Sequence, residues 1–367
     1  MERGKVGIDP PNRHDQLVRW IESWCDGVAF TLHPLSGGAS ARQFFRLEFA
    51  DSRPTLIVRD APAHGDSHRF VRVAKLLADA GVHAPDVVAQ DLEPGFLLIS
   101  DLGDASYLSA LNHDNANSLF EAAIDALISW QLATRAGVLP AVDEGLLRSE
   151  MDLFAEWYVE RHLGMRLGPD ERRAFEDLVA TIVARNLSQP TVYVHRDYTA
   201  RNLMVCDRIP GVLDFQDAMI GPVTYDVASL FWTSSHDWPE ERVRHWTMRY
   251  WERARSAGVP VHDRVDEFRE DLQWTSVQRH LKVLGVFARL NYRDGKRQYL
   301  ENSPRLVRHI RAVAVRYDAL APLLQVFDRR GSAGPEIERG DRDLQASASQ
   351  LGYAAQEEDE VSTALSS

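Results

Sequence analysis

The order of the predicted strands and helices constrains the fold of this chain more than any other feature. Five short segments near its front are rich in β-branched or aromatic residues and are separated by turn-forming stretches, which is typical of antiparallel strands. These segments are 28–34, 43–50, 55–60, 86–91 and 95–100. One amphipathic helix, 66–80, lies between the third and fourth segments, and a shorter helix over about 14–25 precedes the first. The sequence therefore predicts one small sheet with a single main helix inserted into it.

The rest of the chain is mainly helical from about residue 114 onward. Apolar residues at helical spacing predict helices at 115–136, 149–163, 170–187, 222–235, 239–257, 263–290, 303–316 and 317–326. One interruption, 191–214, consists of short apolar strands joined by polar loops. Residues 328–367 have no helical stripe and are rich in small, polar and acidic residues, which predicts a disordered acidic tail.

Charge and hydropathy exclude several classes of protein. The net charge of −12 argues against a nucleic-acid partner, because contacts to a phosphate backbone need a basic surface. No apolar run approaches the roughly 18 residues of a membrane span, so we expect no membrane partner. The first residues lack the apolar core of a signal peptide, which predicts a cytoplasmic protein.

The residues best suited to chemistry are concentrated between 193 and 230. His195, Asp197 and Asn202 form the pattern H-x-D-x-x-x-x-N, and Asp214 follows at the end of the next short strand pair. Phosphoryl transfer needs a metal ion on the ATP phosphates and an acceptor hydroxyl aimed at the γ-phosphorus. Asn202 and Asp214 can supply the oxygen ligands that Mg²⁺ prefers, and Asp197 can accept or orient the proton of the hydroxyl. His195 is expected to hold the loop by hydrogen bonding without ionising.

Two other chemistries fit the same residues poorly. A zinc site is disfavoured because His195 and Asp197 have no further His or Cys partners at ligand spacing. A serine hydrolase is disfavoured because the sequence has no G-x-S-x-G elbow. The pattern therefore indicates a phosphotransferase.

The segments VHRDYTARNLMV and GVLDFQDAMIGPVTYDVASL resemble the catalytic region of the aminoglycoside phosphotransferase/choline kinase-like superfamily. The resemblance covers about 15–326 and implies an α+β, bilobal protein-kinase-like fold, with a small β-rich N-lobe holding one main helix and a larger helical C-lobe. The implied divisions are a flexible N-terminus (1–13), a nucleotide-binding N-lobe (14–101), a C-lobe with the catalytic loop and sugar site (102–327), and the tail (328–367).

The resemblance also implies roles for individual residues, with ATP and Mg²⁺ as cofactors. Asp197 is the implied catalytic aspartate, supported by His195, while Asn202 and Asp214 are the implied Mg²⁺ ligands and Asp226 is a structural brace for the catalytic loop. The residues implied to contact the nucleotide are Gly37, Gly38 and Ser40 of the first turn, Arg59 of the third strand, and Ser100, Asp101 and Leu102 of the hinge.

The residue that replaces the usual ATP lysine is left open by the sequence. Lysine occurs only as Lys5, Lys75, Lys282 and Lys296, and none of these lies on the third strand. Arg59 occupies that strand, but it could also point outward, and Arg42 in the preceding turn competes with it. The helix 66–80 has no glutamate to pair with either arginine, only Asp66 and Asp79 at its ends.

A narrower resemblance involves TLIVRDAPA, GFLLISDLGD and QRHLKVLGVFARLNYRDGKRQYL as well. Together the segments resemble the anomeric N-acetylmuramate/N-acetylglucosamine kinases, which implies transfer of the γ-phosphate to the C1 hydroxyl of a free amino sugar in peptidoglycan recycling. The residues expected to contact the sugar are Arg201, Asp217, Arg279 and His280. Gln278 and Lys282, beside the apolar stripe of the same helix, are expected to face solvent or the sugar cleft. Trp232 is a candidate for stacking on the sugar, although its aromatic neighbours are expected in the core. The protein is expected to be a monomer.

Other activities stay open. Another small-molecule kinase of the same fold could act on an aminoglycoside, choline or homoserine, although the basic segment QRHLK suits a carboxylate better than a polycation. A pseudokinase or binding scaffold is favoured slightly by the missing Lys–Glu pair. The intact set of Asp197, Asn202 and Asp214 argues against that alternative.

Overall fold

The computed structural model describes residues 12–35, 42–61, 66–232 and 238–331. The predicted nucleotide turn, with Gly37, Gly38 and Ser40, lies outside the described residues.

The N-terminal part is a five-stranded antiparallel sheet with two helices. Its strands are β1 (Phe30–Leu35), β2 (Gln43–Phe49), β3 (Leu56–Asp60), β4 (Val87–Asp91) and β5 (Phe96–Ser100), in the spatial order β1-β2-β3-β5-β4. Side chains alternate along β5, so Leu98 packs with helix α1 (Arg13–Cys25) on one face. Leu97 joins the core that contains helix α2 (Asp66–Asp79) on the other face. The predicted sheet with one inserted helix is therefore confirmed.

The C-terminal part is built from helices, with two short strand pairs between them. Its helices are α3 (Tyr107–Ala110), α4 (Ala116–Leu132), α5 (Glu144–Leu153), α6 (Pro169–Leu187), α7 (Tyr225–Phe231), α8 (Glu240–Ala257), α9 (Val265–Asp294), α10 (Ser303–Ala314) and α11 (Ala321–Gly331). Strand β6 (Thr191–Val194) pairs with β9 (Met219–Pro222), and β7 (Leu203–Met204) pairs with β8 (Gly211–Val212). Within the ranges that the structure describes, no helix is both long and apolar enough to cross a bilayer.

Helix α5 differs from the helix predicted at 149–163. It begins earlier, at Glu144, because the Asp143 side chain accepts a hydrogen bond from the backbone nitrogen of Leu146 and so caps the helix. It then continues as a π-helix over Phe154–His162. Two elements of different helical pitch therefore occupy the region where one regular helix is expected.

Helix α9 is the central element of the C-terminal part. Every residue from Trp274 to Lys282 is buried, including the polar ones. The helix also crosses the junction of α5 and the π-helix closely, since a Cβ atom added at Gly285 would lie 2.4 Å from the backbone carbonyl carbon of Leu153. Only glycine fits this crossing without a shift of the backbone.

Both ends of the described structure extend past the predicted lobes. Helix α1 begins at Arg13, whose side chain donates hydrogen bonds to Asp60 and to the carbonyl of Pro94, so this residue of the predicted flexible N-terminus is part of the fold. Helix α11 ends at Gly331, inside the predicted tail, and 332–367 lies outside the described residues.

Candidate active site

A buried aspartate braces the loop that carries the H-x-D pattern. Asp226, in the first turn of α7, is fully buried, and its carboxylate accepts hydrogen bonds from the backbone nitrogens of His195 at 2.6 Å and Arg196 at 3.0 Å. Arg196 has a φ of +75°, a left-handed conformation that is unfavourable for a residue with a side chain. The two hydrogen bonds stabilise this turn and fix the direction in which the loop leaves β6.

His195 connects the loop to the strand pair that follows. Its Nε2 donates to the carbonyl of Leu213 at 2.9 Å, and its Nδ1 accepts from the backbone nitrogen of Asp197 at 3.3 Å. A neutral imidazole with one donor and one acceptor satisfies both contacts. Burial lowers the pKa of His195 below its ordinary value, which favours this neutral form. The geometry fits the expected role of His195 in positioning.

Asp197 and Asn202 contact each other directly. The side-chain nitrogen of Asn202 donates to the Asp197 carboxylate at 2.9 Å and to the Asp197 carbonyl at 3.0 Å. Because its amide nitrogen faces Asp197, the amide oxygen is the atom of Asn202 that could bind a metal. The carbonyl of Asn202 accepts from the backbone nitrogen of Leu213, which brings the loop beside the residue before Asp214. The structure therefore brings together the three residues that the spacing predicts for phosphoryl transfer.

Asp214 has the features of a metal ligand. One of its oxygens, Oδ1, accepts from the side-chain nitrogen of Gln216 at 2.5 Å and lies 3.6 Å from Nη1 of Arg42. The other, Oδ2, is buried and has no hydrogen-bond partner among the residues described. Burial, with the nearby charge of Asp197, raises the pKa of Asp214 to about 6. A divalent cation would give the buried oxygen a partner and would offset the energetic cost of ionising this buried carboxyl.

The arrangement suits magnesium better than a metal that needs a protein cage. Within the described ranges no group of three or more His, Cys, Asp and Glu side chains could hold a metal ion. Mg²⁺ is commonly bound by one or two carboxylates together with substrate phosphates and water. The side-chain oxygens of Asn202 and Asp214 fit that pattern.

Arg59 points inward rather than toward solvent. Its side chain is buried, forms an ion pair with Asp66 at the start of α2, and donates to the Ser67 hydroxyl at 3.1 Å. Its guanidinium lies over the ring of Phe70, 4.9 Å from the centroid. Asp66 therefore takes the place of the glutamate that the sequence lacks on this helix.

Arg42 shares the same carboxylate and also reaches the C-terminal part. Its Nε donates to Asp66 at 3.0 Å, while its terminal nitrogens lie 3.6 Å from Asp214 and 3.9 Å from Asp217. Asp217, expected to contact the sugar, also lies 3.6 Å from Arg69. Arginines of the N-lobe thus contact the carboxylates around the candidate metal site, where phosphate oxygens would also interact favourably with them.

Two residues of the predicted hinge already form hydrogen bonds within the protein. The backbone nitrogen of Ser100 donates to the carbonyl of Asp86 at 2.9 Å, and the Asp101 carboxylate accepts from Nε of Arg46 at 2.6 Å. Adenine would therefore need other backbone groups of this segment. Leu102 is half-buried, and its Cδ1 lies where a Cβ at Gly211 would clash.

Both predicted sugar residues on α9 are buried, and of the two only His280 lines a cavity. Arg279 is 7% exposed, donates to the carbonyl of Arg196 at 2.8 Å, and lies over the ring of Tyr225. His280 is 3% exposed, and its Nε2 donates to the carbonyl of Trp232 at 2.9 Å. Arg279 therefore supports the catalytic loop, whereas Arg201 is half-buried within that loop.

The sequence gives no indication of a buried charged cluster behind the loop. Glu150 of α5 accepts hydrogen bonds from the side chains of Arg196 at 2.8 Å, Lys282 at 2.7 Å and Gln278 at 2.7 Å. We call these four residues the Glu150 cluster. The sequence predicts that Gln278 and Lys282 face solvent or the sugar cleft, which is wrong, because both face Glu150. Its partners are 46 to 132 positions away, so no local pattern could reveal them.

Comparisons with known proteins agree with this geometry. Residues 31–268 match the family model described as "Phosphotransferase enzyme family". The chain is 46% identical over 322 residues to the "N-acetylmuramate/N-acetylglucosamine kinase" of Pseudomonas aeruginosa, covering 85% of this chain and 95% of that protein. It is 43% identical over 322 residues to the protein of the same name from Pseudomonas putida, covering 85% and 94%.

Two solved structures of low sequence identity support the fold class of this chain. The ADP-bound crystal structure of aminoglycoside phosphotransferase APH(2'')-Ib superposes with a TM-score of 0.55, at 14% sequence identity, over 80% of this chain and 97% of that one. A choline/ethanolamine kinase family protein from Mesorhizobium loti superposes with a TM-score of 0.54 at 14% identity, over 86% and 98%. The predicted α+β, kinase-like fold class is thereby confirmed.

Proposed function

The chain belongs to the phosphotransferase enzyme family, and from this premise we propose that it transfers the ATP γ-phosphate to the anomeric C1 hydroxyl of N-acetylmuramate and N-acetylglucosamine. The observation that carries the proposal is the 46% identity to a kinase of that name over 95% of its length. Two contacts support a competent catalytic centre: Asn202 binds the Asp197 carboxylate, and its carbonyl binds the backbone of the residue before Asp214.

Asn202 and Asp214 would hold Mg²⁺ through their side-chain oxygens. The ion would neutralise charge on the transferred phosphoryl group when bound. In this proposal Arg42 and Arg59, whose guanidinium groups share the Asp66 carboxylate, would interact with phosphate oxygens from the N-lobe side. The ADP in the similar aminoglycoside phosphotransferase structure supports ATP as the donor for this fold.

The Asp197 carboxylate would accept a hydrogen bond from the sugar hydroxyl. The Asn202 amide orients the Asp197 carboxylate, and His195 holds the Asp197 backbone. The carboxylate is therefore already fixed in place when the sugar hydroxyl arrives. An anomeric hydroxyl is more acidic than an ordinary alcohol, and a carboxylate of modest basicity is therefore sufficient. Catalysis then rests mainly on positioning and on charge stabilisation.

Substitution of Asp197 tests the catalytic assignment. Asp197→Asn should lose nearly all turnover while ATP still binds, because the nucleotide contacts lie on other residues. Asp207→Asn is the matched control, since Asp207 is an exposed aspartate in the turn between β7 and β8. Turnover of Asp197→Asn comparable with that of the wild type would contradict the assignment.

A substrate screen tests the acceptor. Purified protein with ATP and Mg²⁺ is offered free amino sugars, aminoglycosides and choline, and NMR locates the phosphate on any product. Phosphate at C1 of the amino sugars is expected. Phosphate at another position would refute the anomeric claim, and transfer only to an aminoglycoside or choline would replace the proposed acceptor.

The biological setting follows from the proposed substrates. N-acetylmuramate is a constituent of peptidoglycan, so the reaction suits recycling of cell-wall sugars in the cytoplasm, where ATP is available. We also infer a monomer without nucleic-acid partners. Size-exclusion chromatography with light scattering would test the oligomeric state.

A further inference from the structure

A basic cavity of about 310 Å³ opens at the end of α7, between α8, α9 and α10. Its lining includes five arginines and a buried histidine, and we call it the arginine cavity. These residues are Arg244, Arg269, Arg305, Arg308, Arg316 and His280. Glu240 is the one acidic residue among the described residues of its lining. In a chain with a net charge of −12, this concentration of positive charge favours an anionic ligand.

Two of the arginines carry charge that the described structure does not neutralise. Arg244 on α8 and Arg269 on α9 have no carboxylate within ion-pair distance among the residues described, whereas Arg316 lies 3.7 Å from Glu240. Guanidinium groups stay protonated at physiological pH and bind carboxylates through paired hydrogen bonds. Arg244 and Arg269 are thus available to a carboxylate in the cavity.

His280 supplies a second, independent indication of a ligand. Its Nε2 donates to the Trp232 carbonyl, so in the neutral ring Nδ1 is an acceptor, and this buried atom has no hydrogen-bond partner among the described residues. Burial lowers the pKa of His280 to about 4, which keeps the ring neutral. A buried acceptor without a donor is costly, and a ligand hydroxyl or amide N–H would satisfy it.

The cavity also has an apolar wall. Trp232 is one of its lining residues, and the centroid of the Trp232 ring lies 5.5 Å from that of His309, which also lines the cavity. An indole ring suits the C–H face of a sugar, which is apolar while the hydroxyls project sideways. The wall and the basic groups together fit an acidic sugar better than an inorganic anion.

Both sides of the cavity are connected to the catalytic loop. On α7, five helical steps separate Asp226, which holds the loop, from Phe231 in the cavity lining, a rise of about 7.5 Å at 1.5 Å per residue. On α9, Arg279 contacts the loop and its neighbour His280 lines the cavity. Measured along α7, the lining of the cavity therefore begins about 7.5 Å from the residue that holds the loop.

We propose that the arginine cavity binds the carboxylate-bearing substituent of an acidic amino sugar. This inference rests on the proposed function and deepens it, because N-acetylmuramate carries a lactyl carboxylate and N-acetylglucosamine does not. Arg244 and Arg269 hold the carboxylate, while His280 accepts a hydrogen bond from a hydroxyl or amide of the same sugar. The cavity thus determines the preference between the two substrates.

The two substrates give the test an internal control. Arg269→Gln and Arg244→Gln should each raise KM for N-acetylmuramate about 10-fold or more, the loss expected for one charge-assisted hydrogen bond. KM for N-acetylglucosamine should stay within about twofold of the wild-type value, since that sugar has no carboxylate for the arginines to bind. Arg249→Gln, on α8 but outside the cavity and paired with Glu121, should change neither value.

Calorimetric titration of both sugars without ATP separates this inference from the proposed function. Tighter binding of N-acetylmuramate by the wild-type protein, weakened by Arg269→Gln and not by Arg249→Gln, supports the cavity even if no sugar is phosphorylated. The inference would be overturned by equal changes in KM for both sugars, by no change in either KM, or by equal affinity of the wild-type protein for the two sugars. Turnover by the wild type then reports separately on the proposed function.

Discussion

Substitution of Glu150 by glutamine would test how strongly buried charge holds the catalytic loop. In the Glu150 cluster one carboxylate accepts from two buried cations, Arg196 and Lys282, and from the amide of Gln278. Glutamine keeps the size of the side chain but removes its charge. The variant therefore leaves two buried cations that repel each other without a counter-ion.

The size of the effect follows from the charges. Breaking a buried ion pair by removing one partner costs about 3–5 kcal/mol, and we expect Glu150→Gln to fall in this range. Lys282→Met leaves a neutral pair of Glu150 and Arg196, so it should cost less, about 1.5–3 kcal/mol for one charge-assisted hydrogen bond. Glu144→Gln, on the same helix, disrupts an exposed pair with Arg148 and should cost under about 1 kcal/mol.

Urea unfolding at neutral pH measures these free energies, and turnover measured in parallel reports on the loop. Because Arg196 precedes Asp197, Glu150→Gln should also lower kcat, whereas Glu144→Gln should not. The reasoning would be refuted if Glu150→Gln were no more destabilising than Glu144→Gln.

The effect of Glu150→Gln should also depend on pH. Burial alone would raise the pKa of Glu150, but Lys282 and Arg196 outweigh it and lower the pKa below its usual value. The carboxylate therefore contributes stability that is present above its unfolded pKa of about 4.3 and is lost as the pH falls through the lower folded pKa. Wild type and Glu150→Gln should converge in stability in that acidic range.

Two further substitutions test the metal ligand and the helix crossing. Asp214→Asn should abolish turnover and yet raise the melting temperature of the metal-free protein above pH 6. The pKa of Asp214 is about 3.9 in the unfolded chain and about 6 in the folded protein, so the wild type loses stability as the pH rises from about 3.9 to about 6. The asparagine variant has no carboxyl to ionise and avoids this loss. Thermal unfolding across pH checks this, and a lower melting temperature than the wild type at pH above 6 would contradict it. Gly285→Ala should destabilise the fold by about 1–3 kcal/mol or more, because its Cβ would meet the backbone of Leu153. Urea unfolding beside Ala288→Gly measures that cost, and a neutral result would show that the helices can separate without penalty.

Much of the fold could be predicted because its signals are local. Short segments rich in β-branched or aromatic residues, bounded by turn-forming stretches, predict the strands of the N-lobe, and Leu97 and Leu98 face opposite sides of β5. The spacing of His195, Asp197 and Asn202 likewise predicts one loop, since few residues separate them. The contact between Asp197 and Asn202 follows directly from that spacing.

The interactions that the sequence could not predict depend on distant partners. The inward orientation of Arg59 is stabilised by Asp66 on the next helix, and an aspartate at a helix end is not the usual partner. Helical periodicity identifies only the apolar stripe of α9, so it predicts that the polar residues between Trp274 and Lys282 are accessible, whereas they are buried. Whether Gln278 or Lys282 meets solvent depends on Glu150, which belongs to another helix.

The burial of α9 has a consequence for the exchange of its amide hydrogens with solvent. A helix of 30 residues usually has one exposed side, but from Trp274 to Lys282 this one has none. Local openings cannot expose these amides without separating α5, α7 and α10 from the helix. Their exchange should therefore follow global unfolding, while the helix ends exchange by fraying. Deuterium uptake in this one segment then measures how much a bound sugar or nucleotide stabilises the whole protein.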